Sequence, residues 1–160
     1  MFFLQIILVL LFGIVLYEDL RFRMVHWFLF PTIGSLLGLL HFFQSDKLVF
    51  LNNVGINFML ISIVLLILYL YSKLIMRSAF LNGSFGLGDL LLFYAIGLAF
   101  PTISFSILFV FSLVFSLVLH LLVKGKRKNL SVPLAGYMSL FFGSVFTWNL
   151  ISNQAFLYQF

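Results

Sequence analysis

The stretch Ile103–Val123, ISFSILFVFSLVFSLVLHLLV, runs for 21 residues without a charged side chain. That is the length of a helix crossing a bilayer, about 20 residues. Inside hydrocarbon each backbone N–H and C=O needs a partner within the protein, and a run this long supplies them by forming an α-helix. Outward from it, polar punctuation separates five more apolar runs, at residues 2–17, 27–43, 56–72, 89–101 and 134–151. The run at 89–101 is the shortest, carries Gly97 and stops at Pro101. It predicts a minimal turn at Phe100, Pro101 and Thr102 and a tight pair with the helix after it. The pattern predicts an all-α polytopic membrane protein of about six transmembrane helices, one domain over residues 1–160.

Composition agrees. The chain is 64% hydrophobic and 8% charged, against about half and a quarter in soluble domains. Without cysteine it has no disulfide framework, thiolate zinc site or cysteine nucleophile. The net charge of +5 does not point to nucleic acid as a partner. Four of the nine basic residues, Lys124, Lys126, Arg127 and Lys128, form one cluster between apolar runs, with no stacking aromatics among them. The first run lacks a basic leader and a small-residue cleavage site after Tyr17, so it reads as a retained helix. The 23 Phe residues read as lipid-facing and packing surface.

Eight of the nine Lys and Arg follow the first, third and fifth runs: Arg21, Arg23, Lys73, Arg77 and the cluster of four. Lys47 alone lies on the other side. Short cytoplasmic loops retain Lys and Arg. Both termini are therefore expected on the non-cytoplasmic side of a cell membrane, with lipid as the first partner.

The chain has four acidic residues, Glu18, Asp19, Asp46 and Asp89. Asp46, beside Lys47, reads as part of a solvated outer turn. Asp19 ends the first run and Asp89 opens the fourth, which puts both carboxylates at the same cytoplasmic edge on different helices. Singly, each has a plain explanation. Asp89 after a glycine turn is a good helix N-cap, and Asp19 is a boundary charge compensated by Arg21 or Arg23. Together they have chemical content, because two neighbouring carboxylates tend to share one proton. The ionised member can take a proton from an attacking water while the protonated one donates to the developing oxyanion. Such a pair titrates as a unit, so neither role is assigned to either residue. The dyad needs no metal and no cofactor.

Gly86 and Gly88 leave room for a sharp turn and for close approach of a substrate backbone to Asp89. Gly97, eight residues on, lies on nearly the same helix face and permits close packing behind the site. Glu18 rivals Asp19, but adjacent helical residues point about 100° apart.

These residues resemble the type IV prepilin peptidases and the related archaeal preflagellin peptidases, membrane aspartyl proteases of the Gly-x-Gly-Asp kind. Asp19, Leu20, Arg21, Phe22, Arg23 resembles the family's first motif. Gly86, Leu87, Gly88, Asp89, followed by Ala95, Ile96, Gly97, is similar to its Gly-x-Gly-Asp motif. A weaker third similarity is Val132, Pro133, Leu134, Ala135 at the entry to the last run. Val25, His26, Trp27 stand where the family often has Ile-Pro-Asn, Leu91 stands for a common Lys, and Gly136 for a second Pro. The resemblance implies catalytic Asp19 and Asp89, backbone support from Gly86, Gly88 and Gly97, and a cytoplasm-facing site at the inner membrane. The implied substrate is a prepilin-like protein with a basic leader, cleaved after Gly ahead of an apolar helix. Larger members carry a cysteine-bearing segment associated with N-methylation; for this chain, which has no cysteine, peptidase activity is expected and methyltransferase activity is not assumed.

Other classes fit less well. A rhomboid-type serine protease needs Gly-x-Ser-Gly, whereas Gly83, Ser84, Phe85, Gly86 has its serine one position early. His26, His41 and His120 are too scattered for a zinc site. Presenilin-like proteases share Gly-x-Gly-Asp, but their other Asp lies mid-span. The main rival is a non-catalytic assembly factor or transporter subunit. The sequence leaves the oligomeric state open.

Overall fold

A computed structural model describes residues 2–76, 86–124 and 132–152. Among these lie six α-helices and no strand: α1 (Phe2–Phe22), α2 (Leu29–Gln44), α3 (Lys47–Tyr71), α4 (Leu87–Gly97), α5 (Thr102–Lys124) and α6 (Leu134–Ser152). A π-helical turn, Ser72–Met76, continues α3. Four helices, α1, extended α3, α5 and α6, are long and apolar enough to cross a membrane. The other two are apolar but have 16 and 11 residues. At 1.5 Å per residue α4 covers about 16 Å, roughly half of a hydrocarbon core.

Helix ends depart from the apolar runs for local reasons. α1 continues past Tyr17 to Phe22 because Glu18, Leu20 and Arg21 are good helix formers. It ends at Arg23, whose left-handed φ of 58° turns the chain back. Asp19 therefore lies inside the last turns of α1. At the far end α3 starts at Lys47, earlier than its apolar run, and Asp46 occupies the N-cap position, accepting the Phe50 N–H on its carbonyl at 2.8 Å.

The short α4 is held by polar groups from two neighbours. The last carbonyls of any helix lack intrahelical donors, and in an apolar bundle they must find others. Asn57 of α3 donates from Nδ2 to the carbonyls of Gly97 (3.0 Å) and Phe100 (2.9 Å). His41 of α2 donates from Nδ1 to the Leu98 carbonyl at 3.1 Å. Across the turn into α5, Thr102 donates to Asn53 Oδ1 at 3.2 Å. This end of the molecule thus gathers the end of α2, the start of α3, the end of α4 and the start of α5.

The chain turns between α4 and α5 over residues 98–101, with Thr102 already in α5, and the tight pair expected of these two helices is not the main contact: α4 lies closest to α2. A Cβ built on Gly34 would come within 3.3 Å of the Ala95 backbone. Small residues permit such approach where lipid removes the hydrophobic drive between helices. α5 meets α4 through the edge-on pair Phe93 and Phe109, centroids 4.9 Å apart. α6 is the most enclosed of the four long helices and packs on α1 and α5. There Phe12, Phe100, Phe142 and Phe146 stack with centroids 5.8 to 6.3 Å apart. Each pair contributes about 0.5–1.5 kcal/mol beyond area burial. The outer faces of α3 and α5 carry exposed Leu66, Ile67, Ile107, Val110, Val114 and Leu117, suited to lipid.

Candidate active site

The site is built at the first turn of α6. Pro133 precedes that turn; the Leu134 N–H donates to the Val132 carbonyl at 3.0 Å, and the Tyr137 N–H is the first to make a helical bond, to the Pro133 carbonyl at 3.1 Å. The Ala135 and Gly136 amides between them have no partner within the helix. Two carboxylates take them. The Ala135 N–H donates to Asp89 Oδ1 at 2.7 Å, and the Gly136 N–H donates to Asp19 Oδ2 at 2.6 Å. Successive residues have α-carbons about 3.8 Å apart, so side chains from α1 and α4, 70 positions apart in the chain, converge on neighbouring amides.

Asp19 belongs to the buried stripe of α1, with Leu8, Phe12 and Val15. It is 8% exposed. The negative end of its own helix opposes its charge, while the positive end of α6 favours it, each by about 0.3–1 kcal/mol. Arg23 lies within electrostatic reach of it. Gly136 is what lets α1 come this close. A Cβ there would sit 3.0 Å from Asp19 Oδ2 and 3.2 Å from its Cβ.

Asp89 is the third residue of α4, after the N-cap Gly86. The Gly86 N–H lies near enough to act on its charge, in the reach-back sense of a capping box. It is partly exposed and feels the charge of Asp19. A Cβ on Gly86 would lie 2.9 Å from Asp89 Oδ2, and one on Gly88 would lie 3.2 Å from Phe30 of α2. No described glycine has positive φ. Gly86 runs in an extended conformation and Gly88 in the helix, the residues leading into Gly86 lie outside the described ones, and the missing side chains serve close approach. Gly97 lies at the other end of α4, about 12 Å along the axis. A Cβ there would come within 2.7 Å of Ile61 and 3.2 Å of Phe58, so it packs against α3.

Glu18 goes elsewhere. It accepts the His26 N–H at 3.0 Å and pairs with His26 Nδ1 at 2.8 Å. His41 sits among α2, α4 and Phe50, and His120 on α5. Among the described residues no group of three or more His, Asp or Glu is placed to hold a metal ion. Arg77, Lys126, Arg127 and Lys128, and Gly83, Ser84 and Phe85 of the serine-protease reading, lie outside the described residues.

Sequence reasoning placed both carboxylates on one face but missed the donors that hold them. Backbone amides leave no residue-type signature; the one sign was the proline entry at Val132 and Pro133. Comparison with models of known protein families, with curated proteins and with solved structures finds no match to this chain.

Proposed function

We propose that the protein is a membrane aspartic endopeptidase of the prepilin-peptidase kind, with Asp19 and Asp89 as its dyad. The observation that carries this is the convergence of the two carboxylates on the Ala135 and Gly136 amides, one buried and one partly open. A partly desolvated pair of this sort shares a proton. Its ionised member takes a proton from a water, whose oxygen attacks the peptide carbonyl. The protonated member donates to the oxyanion, and the proton then passes to the leaving amine. The pair carries both roles, as either carboxylate can begin as base.

In the membrane we read the bundle as six crossings with both termini outside. α4 is enclosed by α2, α3 and α6, so its short length exposes little polar backbone to lipid. The carboxylates then lie at the cytoplasmic side of the inner membrane, where a prepilin-like precursor presents its basic leader to water and its apolar helix to the bilayer.

The same hydrogen bonds favour a second reading. The two carboxylates cap α6 and tie three helices together, as in a non-catalytic assembly factor or transporter subunit. Asn separates the two, since its carbonyl oxygen still accepts the amide while the acid-base function is gone. Cleavage of a prepilin-type substrate is measured in membrane vesicles for wild type, Asp19→Asn, Asp89→Asn and Glu18→Gln at matched expression. The expected result is loss of at least about 100-fold in both Asp variants, with Glu18→Gln active. A wild type that inserts and folds but cleaves no such substrate favours the structural reading.

A further inference from the structure

Asp19 stands in the last turns of a helix whose dipole opposes its charge, and on the packed stripe of α1 it has little water to help it. The Gly136 N–H donates to it at 2.6 Å. That amide is an orphan of the α6 first turn, so the bond to Asp19 costs the helix nothing. The residue that donates is also the one whose side chain would intrude. A Cβ at 136 would meet Asp19 at three atoms, Oδ2 (3.0 Å), Cβ (3.2 Å) and Cγ (3.5 Å). Oδ2 can swing aside, but the Asp19 Cβ is fixed to α1 and can move only with the helix.

We propose that Gly136 is a positioning residue for the carboxylate pair: its N–H anchors Asp19 and its missing side chain sets the distance of α1 from α6, while the Ala135 N–H holds Asp89 in register beside it. The catalytic part of this role rests on the aspartic-peptidase reading; the tether itself does not. Displacing Asp19 by a few tenths of an ångström at a site that needs tight placement lowers turnover without changing how the substrate's leader and apolar helix are held.

Two measurements test it on the full chain in detergent micelles and in vesicles. With Gly and Ala labelled by nitrogen-15, the Gly136 amide is identified by its loss in Gly136→Ala. It should shift more in Asp19→Asn than in Asp89→Asn, with the reverse order at Ala135. In the cleavage assay, Gly136→Ala should lower kcat by about ten-fold or more with KM within about two-fold. Gly143→Ala is the control on the same helix pair, as its Cβ would make only an ordinary 3.7 Å contact with Phe12; both kinetic constants should stay at wild type. A Gly136 amide that does not respond to Asp19, or a Gly136→Ala protein that turns over at the wild-type rate, overturns the proposal. A wild type that cleaves nothing while the amide still follows Asp19 overturns the peptidase reading and leaves the tether standing.

Discussion

Asp19 and Glu18 are neighbours of similar chemistry, and the structure sends them to different partners. Asp19 meets the Gly136 amide, while Glu18 closes on His26. Removing the acceptor altogether therefore differs from neutralising it. Asp19→Ala leaves the buried Gly136 N–H unmatched and should cost about 1–3 kcal/mol, whereas Asp19→Asn keeps an acceptor and should cost less. Equilibrium unfolding in mixed micelles ranks the two, and equal stabilities would contradict the tether. Asp89→Glu adds a methylene and moves the carboxylate by over about 1 Å from the Ala135 amide. Activity should fall by about 100-fold while the protein stays inserted, and full activity in that variant would sink the dyad.

At the level of the helix, α4 is the element that most needs its neighbours. Eleven residues are marginal for an isolated helix, and its end is satisfied by side chains from α2 and α3. Asn57→Leu removes both of the hydrogen bonds to Gly97 and Phe100. The expected loss is about 1–2 kcal/mol, the range for such bonds between membrane helices, read as a lower midpoint of unfolding in micelles. Gly97→Val places branched carbon where Ile61 and Phe58 already stand and should cost about 1–3 kcal/mol by overpacking. Both substitutions act on the end of α4 opposite Asp89. A kcat unchanged at temperatures where the variant remains folded would show that the two ends of α4 serve separate purposes.

For the whole molecule, the hydrogen bonds place the end of α1 and the starts of α4 and α6 at one end of the bundle, with the end of α2 and the starts of α3 and α5 at the other. Consecutive helices therefore alternate in direction among the described residues. The chain has no cysteine, so single introduced thiols report side without background. Met24→Cys, at an exposed position after α1, should react with an impermeant maleimide from the cytoplasmic face of the membrane. Asp46→Cys should react only from the opposite face. Labelling of both from one side would overturn the six-crossing arrangement.

The apolar runs made the helices legible because lipid allows the backbone few alternatives, and two acids among so few charges stood out as candidates for one edge. Close packing and orphaned backbone groups were not legible. That α4 lies on α2 depends on Gly34 and Ala95 facing each other across the bundle. The pairing of Asn57 and His41 with the end of α4 depends on where the helices stop, a matter of a residue or two in the chain. The same holds for the donors to Asp19 and Asp89. Composition and periodicity act locally and set which segments become helices; only the tertiary structure decided which unsatisfied amides and carboxylates meet, because that turns on distances of a few tenths of an ångström between elements remote in sequence.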